Sequence, residues 1–127
     1  MRTVRERGSA VVDFVLVMLV LVPLVLGIVQ LGLVLHVRNT LTAAATEGAR
    51  AAAPIDADPA AGAERTRQEI RESLADRFAT DVRGGFTTID GVPASEVVVH
   101  AEVPALGLFG PSVGLDVTGH AVREVSP

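Results

Sequence analysis

The sequence predicts an α+β protein: a long N-terminal transmembrane helix followed by a second helix and a small antiparallel sheet. Three observations predict it. Between Phe14 and Leu35 the only clearly polar side chain is Gln30. After Pro54 comes a charged stretch with apolar residues at helical spacing and a helix-start signal before it. The last third alternates apolar and polar residues in short runs separated by turn residues.

The chain has 127 residues, room for one membrane segment and one small domain. It has no cysteine, which excludes disulfides, zinc thiolates and cysteine nucleophiles. All eleven basic residues are Arg. Arg2, Arg5 and Arg7 stand against Glu6 in the first eight residues, whereas residues 38–127 carry eight Arg against thirteen Asp or Glu. That acidic balance argues against a nucleic-acid partner.

Residues 14–35 form a run of 22, of which seventeen are Leu, Ile, Val or Phe. As a helix the run is about 33 Å long, matching a hydrocarbon core of roughly 30 Å. At about −0.4 kcal/mol per apolar residue, insertion gains on the order of −7 kcal/mol as an upper bound. A lone segment in lipid must be helical, because only a helix satisfies its own backbone. The three leader arginines place the N-terminus in the cytoplasm and residues 38–127 outside, a single-pass arrangement in the cell membrane. Pro23 and Gly27 sit mid-span. Pro23 removes one hydrogen bond and is expected to bend the helix locally. The pair reads either as a flexible point used when subunits pack, or as residues that membrane helices simply tolerate.

Asp13 stands at the edge of the apolar run, directly before Phe14. A carboxylate well inside a bilayer costs about 2.5–3.5 kcal/mol and less near the interface. Asp13 is therefore either a functional acid with a partner or a hydrated interfacial one. Read with its neighbours, Arg5-Glu6-Arg7-Gly8-Ser9-Ala10-Val11-Val12-Asp13-Phe14, it closes a short basic leader that ends in Gly. This resembles the class III signal of type IV prepilins, cut after the Gly by a membrane aspartic protease. The resemblance implies cleavage between Gly8 and Ser9, with Asp13 fifth in the mature chain. The new Ser9 ammonium and a neighbour's Asp13 carboxylate could then be buried as a pair rather than singly. The family usually has Glu there; Asp keeps the charge with one methylene less.

Further motifs narrow the resemblance: Gly27-Ile28-Val29-Gln30-Leu31-Gly32, Val37-Arg38-Asn39-Thr40-Leu41, and Thr46-Glu47-Gly48-Ala49-Arg50. Taken in this order, residues 5–53 resemble the TadE-like family, small pseudopilins of the tight-adherence (Flp) type IV pilus, with a looser echo at Val117–Arg123. The resemblance implies a minor pilin acting in pilus assembly and adherence, with prepilin peptidase and other pilin or pseudopilin subunits as partners besides the lipid bilayer. It implies a pilin-like plan: leader 1–8, transmembrane helix 9–37, its extracytoplasmic continuation 38–53, and a head 54–127. Arg38, Glu47 and Arg50 read either as subunit-packing residues, or as an interfacial Arg and a weak i,i+3 pair. Gly48 lowers helix propensity and suggests close approach of another chain or helix.

Pro54 is expected to end the first helix, and Asp58-Pro59 to start the second as N-cap and first helical residue. That helix is expected to run to about Thr80, with Ala63, Ile70, Leu74 and Phe78 inward. Gly84-Gly85 is expected to break the pattern. Strands are expected at Phe86–Ile89, at Glu96–Val103 with Val97, Val99, Ala101 and Val103 on one face, and at Leu115–Ala121, with a turn at Asp90-Gly91. The second helix should cover the sheet. The apolar loop Pro104–Pro111 could meet a partner or the bilayer surface, or cap the core.

No phosphate loop, nucleophile motif or carboxylate pair is present, so neither an enzyme nor a small-molecule substrate or cofactor is expected. His100 and His120 could be cross-strand neighbours, but a third ligand at metal spacing is missing. A cleavable secretory signal fits poorly, because its apolar core spans 7–15 residues. An uncleaved signal-anchored envelope protein whose head binds a partner fits everything except the Gly8–Asp13 leader.

Overall fold

In a computed structural model the fold is described for residues 2–105 and 112–126, with side chains described from Arg5 onward; the segment Leu106–Pro111 of the apolar loop lies outside the described residues. Helix α1 spans Arg2–Ala51, fifty residues that continue through Pro23 without interruption. Its two halves meet different surroundings. From Arg5 to Gly32 every side chain is exposed apart from the partly covered Met18 and Gln30. From Leu33 onward one face is covered: Val37, Leu41, Ala44, Ala45, Ala49 and Ala52 are all at most 1% exposed. Their spacing of three and four residues is that of one helix face.

Helix α1 unwinds where Pro54 removes the next donor. Ala53 N–H then turns back to Arg50 O at 3.2 Å. Helix α2, Pro59–Ser73, starts as expected, with the Asp58 carboxylate accepting from Ala60 N–H at 3.0 Å. It stops earlier than expected. Leu74 leaves the helical region, at φ −135° and ψ −163°, and its N–H closes on Ile70 O. Phe78 reaches the core from a short 3-10 turn, Asp76–Ala79, rather than from another turn of α2.

Strands β1 (Asp81–Ile89), β2 (Val92–Val103) and β3 (Val113–Val122) form an antiparallel sheet in the order β1-β2-β3. β1 and β2 are joined at Asp90-Gly91, with φ 49° and 82°. Positive φ at both residues is the two-residue hairpin geometry that matches strand twist. On β2 the buried face is Val97, Val99, Ala101 and Val103, as the alternation predicts. Gly84 and Gly85 do not break the sheet; they lie inside β1, opposite Val97 and Glu96. The reason is contact: a Cβ on Gly84 would lie 2.1 Å from the Pro59 carbonyl oxygen. The first turn of α2 needs that missing side chain.

The sheet is covered by both helices. α2 packs on β1, while the second half of α1 crosses β2 and β3. The sheet lies lengthwise on α1. Gln30 meets Pro104 at one end, and Ser95 meets Ala49 towards the other. Those nineteen helical steps span about 29 Å, and the nine strand steps from Pro104 to Ser95 about 30 Å. The strand and helix axes therefore run nearly parallel.

Candidate functional site on helix α1

Among the described residues no enclosed constellation of reactive groups gathers, and the expected functional residues are strung along α1 in three places. Gly8, Ser9, Asp13 and Phe14 are exposed on the half that no other element touches. A Cβ on Gly8 would meet nothing within 4 Å among the described residues. Pro23 and Gly27 follow, with open space around Gly27 as well. Arg38, Asn39, Glu47 and Arg50 lie about 37 Å or more beyond Asp13 along the axis. The chain's own fold therefore does not bring the first group to the last.

The third place divides by face. Asn39, Thr42, Ala43, Thr46, Glu47 and Arg50 line one shallow groove on the side of α1 that faces away from the sheet. Arg38 is exposed beside it. Thr42 and Thr46 turn their hydroxyls back to Arg38 O and Thr42 O, each at 2.8 Å. The expected Glu47–Arg50 pair is absent: among the described residues ion pairs form on α2 and the sheet, not here. Both side chains are exposed, where pairing gains little over separate hydration.

Gly48 faces the other way. A Cβ there would lie 1.8 Å from Thr66 Oγ1 and 2.5 Å from Gly62 O, so the close approach belongs to α2 of the same chain. Thr66, wholly buried, donates to Gly62 O at 2.9 Å, with Ala44 O at 3.3 Å also in reach. Gly119 plays the same part for β3, where a Cβ would lie 2.3 Å from Ala45 C and Thr46 N. Ser95 donates to Ala49 O at 2.5 Å. Sequence reasoning missed Gly62, Thr66, Ser95 and Gly119. A glycine inside a helix or strand was the available signal, since each costs stability unless something packs against it.

On the outer face of the sheet the two histidines are not neighbours. His100 stands opposite Asp116, with Nδ1 2.5 Å from Oδ1, and His120 stands opposite Glu96, with Nε2 2.8 Å from Oε2. The Asp116 hydrogen bond and charge hold the His100 pKa above its ordinary 6.5, and Asp81 and Glu102 add to the effect. Near the C-terminal echo, the Arg123 guanidinium lies 3.8 Å over the Phe86 ring.

A helix that is exposed and apolar in one half, and carries a compact α+β head on the other, supports a single-pass membrane protein. The comparison with protein families finds a match to part of the chain. Residues 8–50 match the family described as TadE-like protein. The match covers the exposed half of α1 and nearly all of the half that carries the head. No curated protein and no solved structure gives a significant match.

Proposed function

We propose that the chain is a structural pseudopilin, or minor pilin, of a tight-adherence pilus. The observation that carries the reading is the family match, which begins at Gly8, the residue after which the leader would be cut. In this reading residues 1–8 are a cytoplasmic leader removed by prepilin peptidase. Residues 9–37 span the bilayer, 38–53 continue the helix, and 54–127 are the extracytoplasmic head. The Ser9 ammonium pairs with Asp13 of an adjacent subunit, which offsets the cost of holding either charge among apolar helices. The groove from Asn39 to Arg50 faces neighbouring pilin or pseudopilin subunits, and the assembled protein acts in pilus assembly and adherence.

The test is the intact mass and N-terminal sequence of the chain recovered from a membrane fraction of its native host. A chain starting at Ser9 supports the proposal. A chain still starting at Met1 overturns it in favour of an uncleaved signal-anchored envelope protein whose head binds a partner.

A further inference from the structure

Gln30 donates from Nε2 to the carbonyl oxygen of Pro104 at 3.2 Å. That contact places one end of the head beside the apolar run. Gln30 lies five residues before Leu35, the last of the apolar run, and so about 7.5 Å below its top. Leu31, Gly32 and Leu35 beside it are exposed, while Leu33 and Val34 already pack against the head's core. The head and the apolar run therefore overlap along the helix.

Among the described residues, apolar side chains stand at the end of the sheet at this level beside Ser112. Val103 and Val113 are partners across β2 and β3; Val103 is buried, Pro104 is exposed, and Val113 is 38% exposed. The next residues upward on the outer face are charged: Glu102 and then Asp116, both exposed, with Ser112 donating to Glu102 at 3.4 Å. An apolar edge thus sits below Glu102 and Asp116, beside the last turns of the helix's exposed apolar surface.

We infer that this end of the head, Pro104 and Val113 with the adjoining Gln30–Val34 turn of α1, is a membrane-contact surface seated in the bilayer interface on the head's side. The occupant is lipid, because the surface continues directly into the exposed apolar face of the helix beneath it. Glu102 limits the depth, since a carboxylate resists entry into hydrocarbon. The head then acts as a depth stop. Within the 9–37 segment, the roughly 20 residues that cross the hydrocarbon itself then end at Gln30 and start near Val11, which holds Asp13 about 3 Å inside the opposite edge and leaves residues 31–37 in the headgroup region. The inference rests on reading α1 as a membrane span.

The chain contains no Trp or Tyr, so a single introduced Trp reports its own surroundings. The full chain is reconstituted into two sets of phosphatidylcholine vesicles, one carrying a doxyl quencher near the headgroup, which reads Val113 and Val122, and one carrying it near the end of the acyl chain, which reads Leu21. Three variants are compared: Val113→Trp, Val122→Trp at the far end of β3 about 30 Å away, and Leu21→Trp in the span. Quenching of Val113→Trp at least about twofold greater than that of Val122→Trp is expected for a residue at the hydrocarbon boundary. Quenching at Leu21 with Val113→Trp no different from Val122→Trp overturns the inference alone. No quenching at Leu21 by the acyl-chain-end quencher overturns the membrane reading, and the inference with it. Ser112→Cys carrying an environment-sensitive fluorophore repeats the measurement in this cysteine-free chain, should Val113→Trp disturb the sheet. An aqueous emission from that label likewise overturns the seat.

Discussion

Gly48 and Gly62 face each other across the contact of α1 with α2, so closely that a Cβ on Gly62 would lie 2.7 Å from the Gly48 carbonyl oxygen. Neither helix could carry a side chain there without moving apart. The same device recurs where β3 meets α1 at Gly119 and where β1 meets α2 at Gly84. Three close approaches, each made through missing side chains, hold a head whose apolar core is built mostly from Ala and Val.

Gly119→Ala is expected to lower the stability of the head by about 1–3 kcal/mol, the usual cost of overpacking, because its Cβ meets backbone atoms of Ala45 and Thr46 that cannot rotate away. Gly114→Ala, with nothing within 4 Å, is the control and should stay within about 0.5 kcal/mol of the parent. Urea unfolding of the full chain in detergent micelles measures both. Equal midpoints for the two variants would remove the argument for a glycine contact.

The His100–Asp116 pair gives a pH signature. Because the fold favours the charged imidazole, the pair's contribution to stability is complete below the ordinary histidine value and is lost as pH rises through the raised one. NMR titration of the His100 ring protons should give a midpoint above 6.5, and Asp116→Asn should bring it down by removing the largest cause. A midpoint that does not move in the variant would mean that Asp116 is not the cause. His100 is an exposed surface residue, so the readout is the midpoint rather than the melting temperature.

On the proposed leader reading, Gly8→Ala is expected to impair processing, because the added methyl enlarges the residue after which the chain would be cut. The check is an immunoblot of membranes from the native host. Maturation at the parental rate would sink the leader assignment.

Asp13→Ala should insert into membranes normally and become easier to bury, gaining up to about 2.5–3.5 kcal/mol if the site is deep. On the proposed pilin reading assembly should nevertheless suffer, because a Ser9 ammonium would lose its counter-charge. Membrane fractionation and recovery with sheared pili separate the two effects. Parental recovery in the pilus fraction would leave the pairing without support.

What the sequence made legible is what local chemistry dictates. Asp58-Pro59 starts α2 because a carboxylate can cap the free amides and Pro fits the first helical position. Asp90-Gly91 turns the hairpin because both residues tolerate positive φ. The alternation of Val97 to Val103 names the core face. What stayed hidden is set by distant parts of the chain. Gly84-Gly85 looks like a break unless Pro59 is known to press on it. Leu74 ends α2 although the i, i+4, i+8 spacing of Ile70, Leu74 and Phe78 continues the helical pattern, because the chain must reverse to reach β1. The sheet's choice of α1 as its main cover could not be read either, since the Ala-rich turn from Leu41 to Ala52 shows little contrast between its faces. At the candidate site, the run Arg5–Phe14 stands out in the sequence through its resemblance to a prepilin signal, whereas the division of Asn39–Arg50 into a groove face and a buried face needs the sheet to be placed first.

The lengthwise fastening of the sheet, from Gln30 to the bond between Glu124 N–H and Ala53 O, also fixes the direction in which the head points around the helix axis. Compass bearing and helical phase become one quantity. Inserting one residue between Asp13 and Gln30 would leave the head intact yet rotate it by about 100° relative to Asp13, whereas inserting seven would return it to within about 20° of its starting bearing.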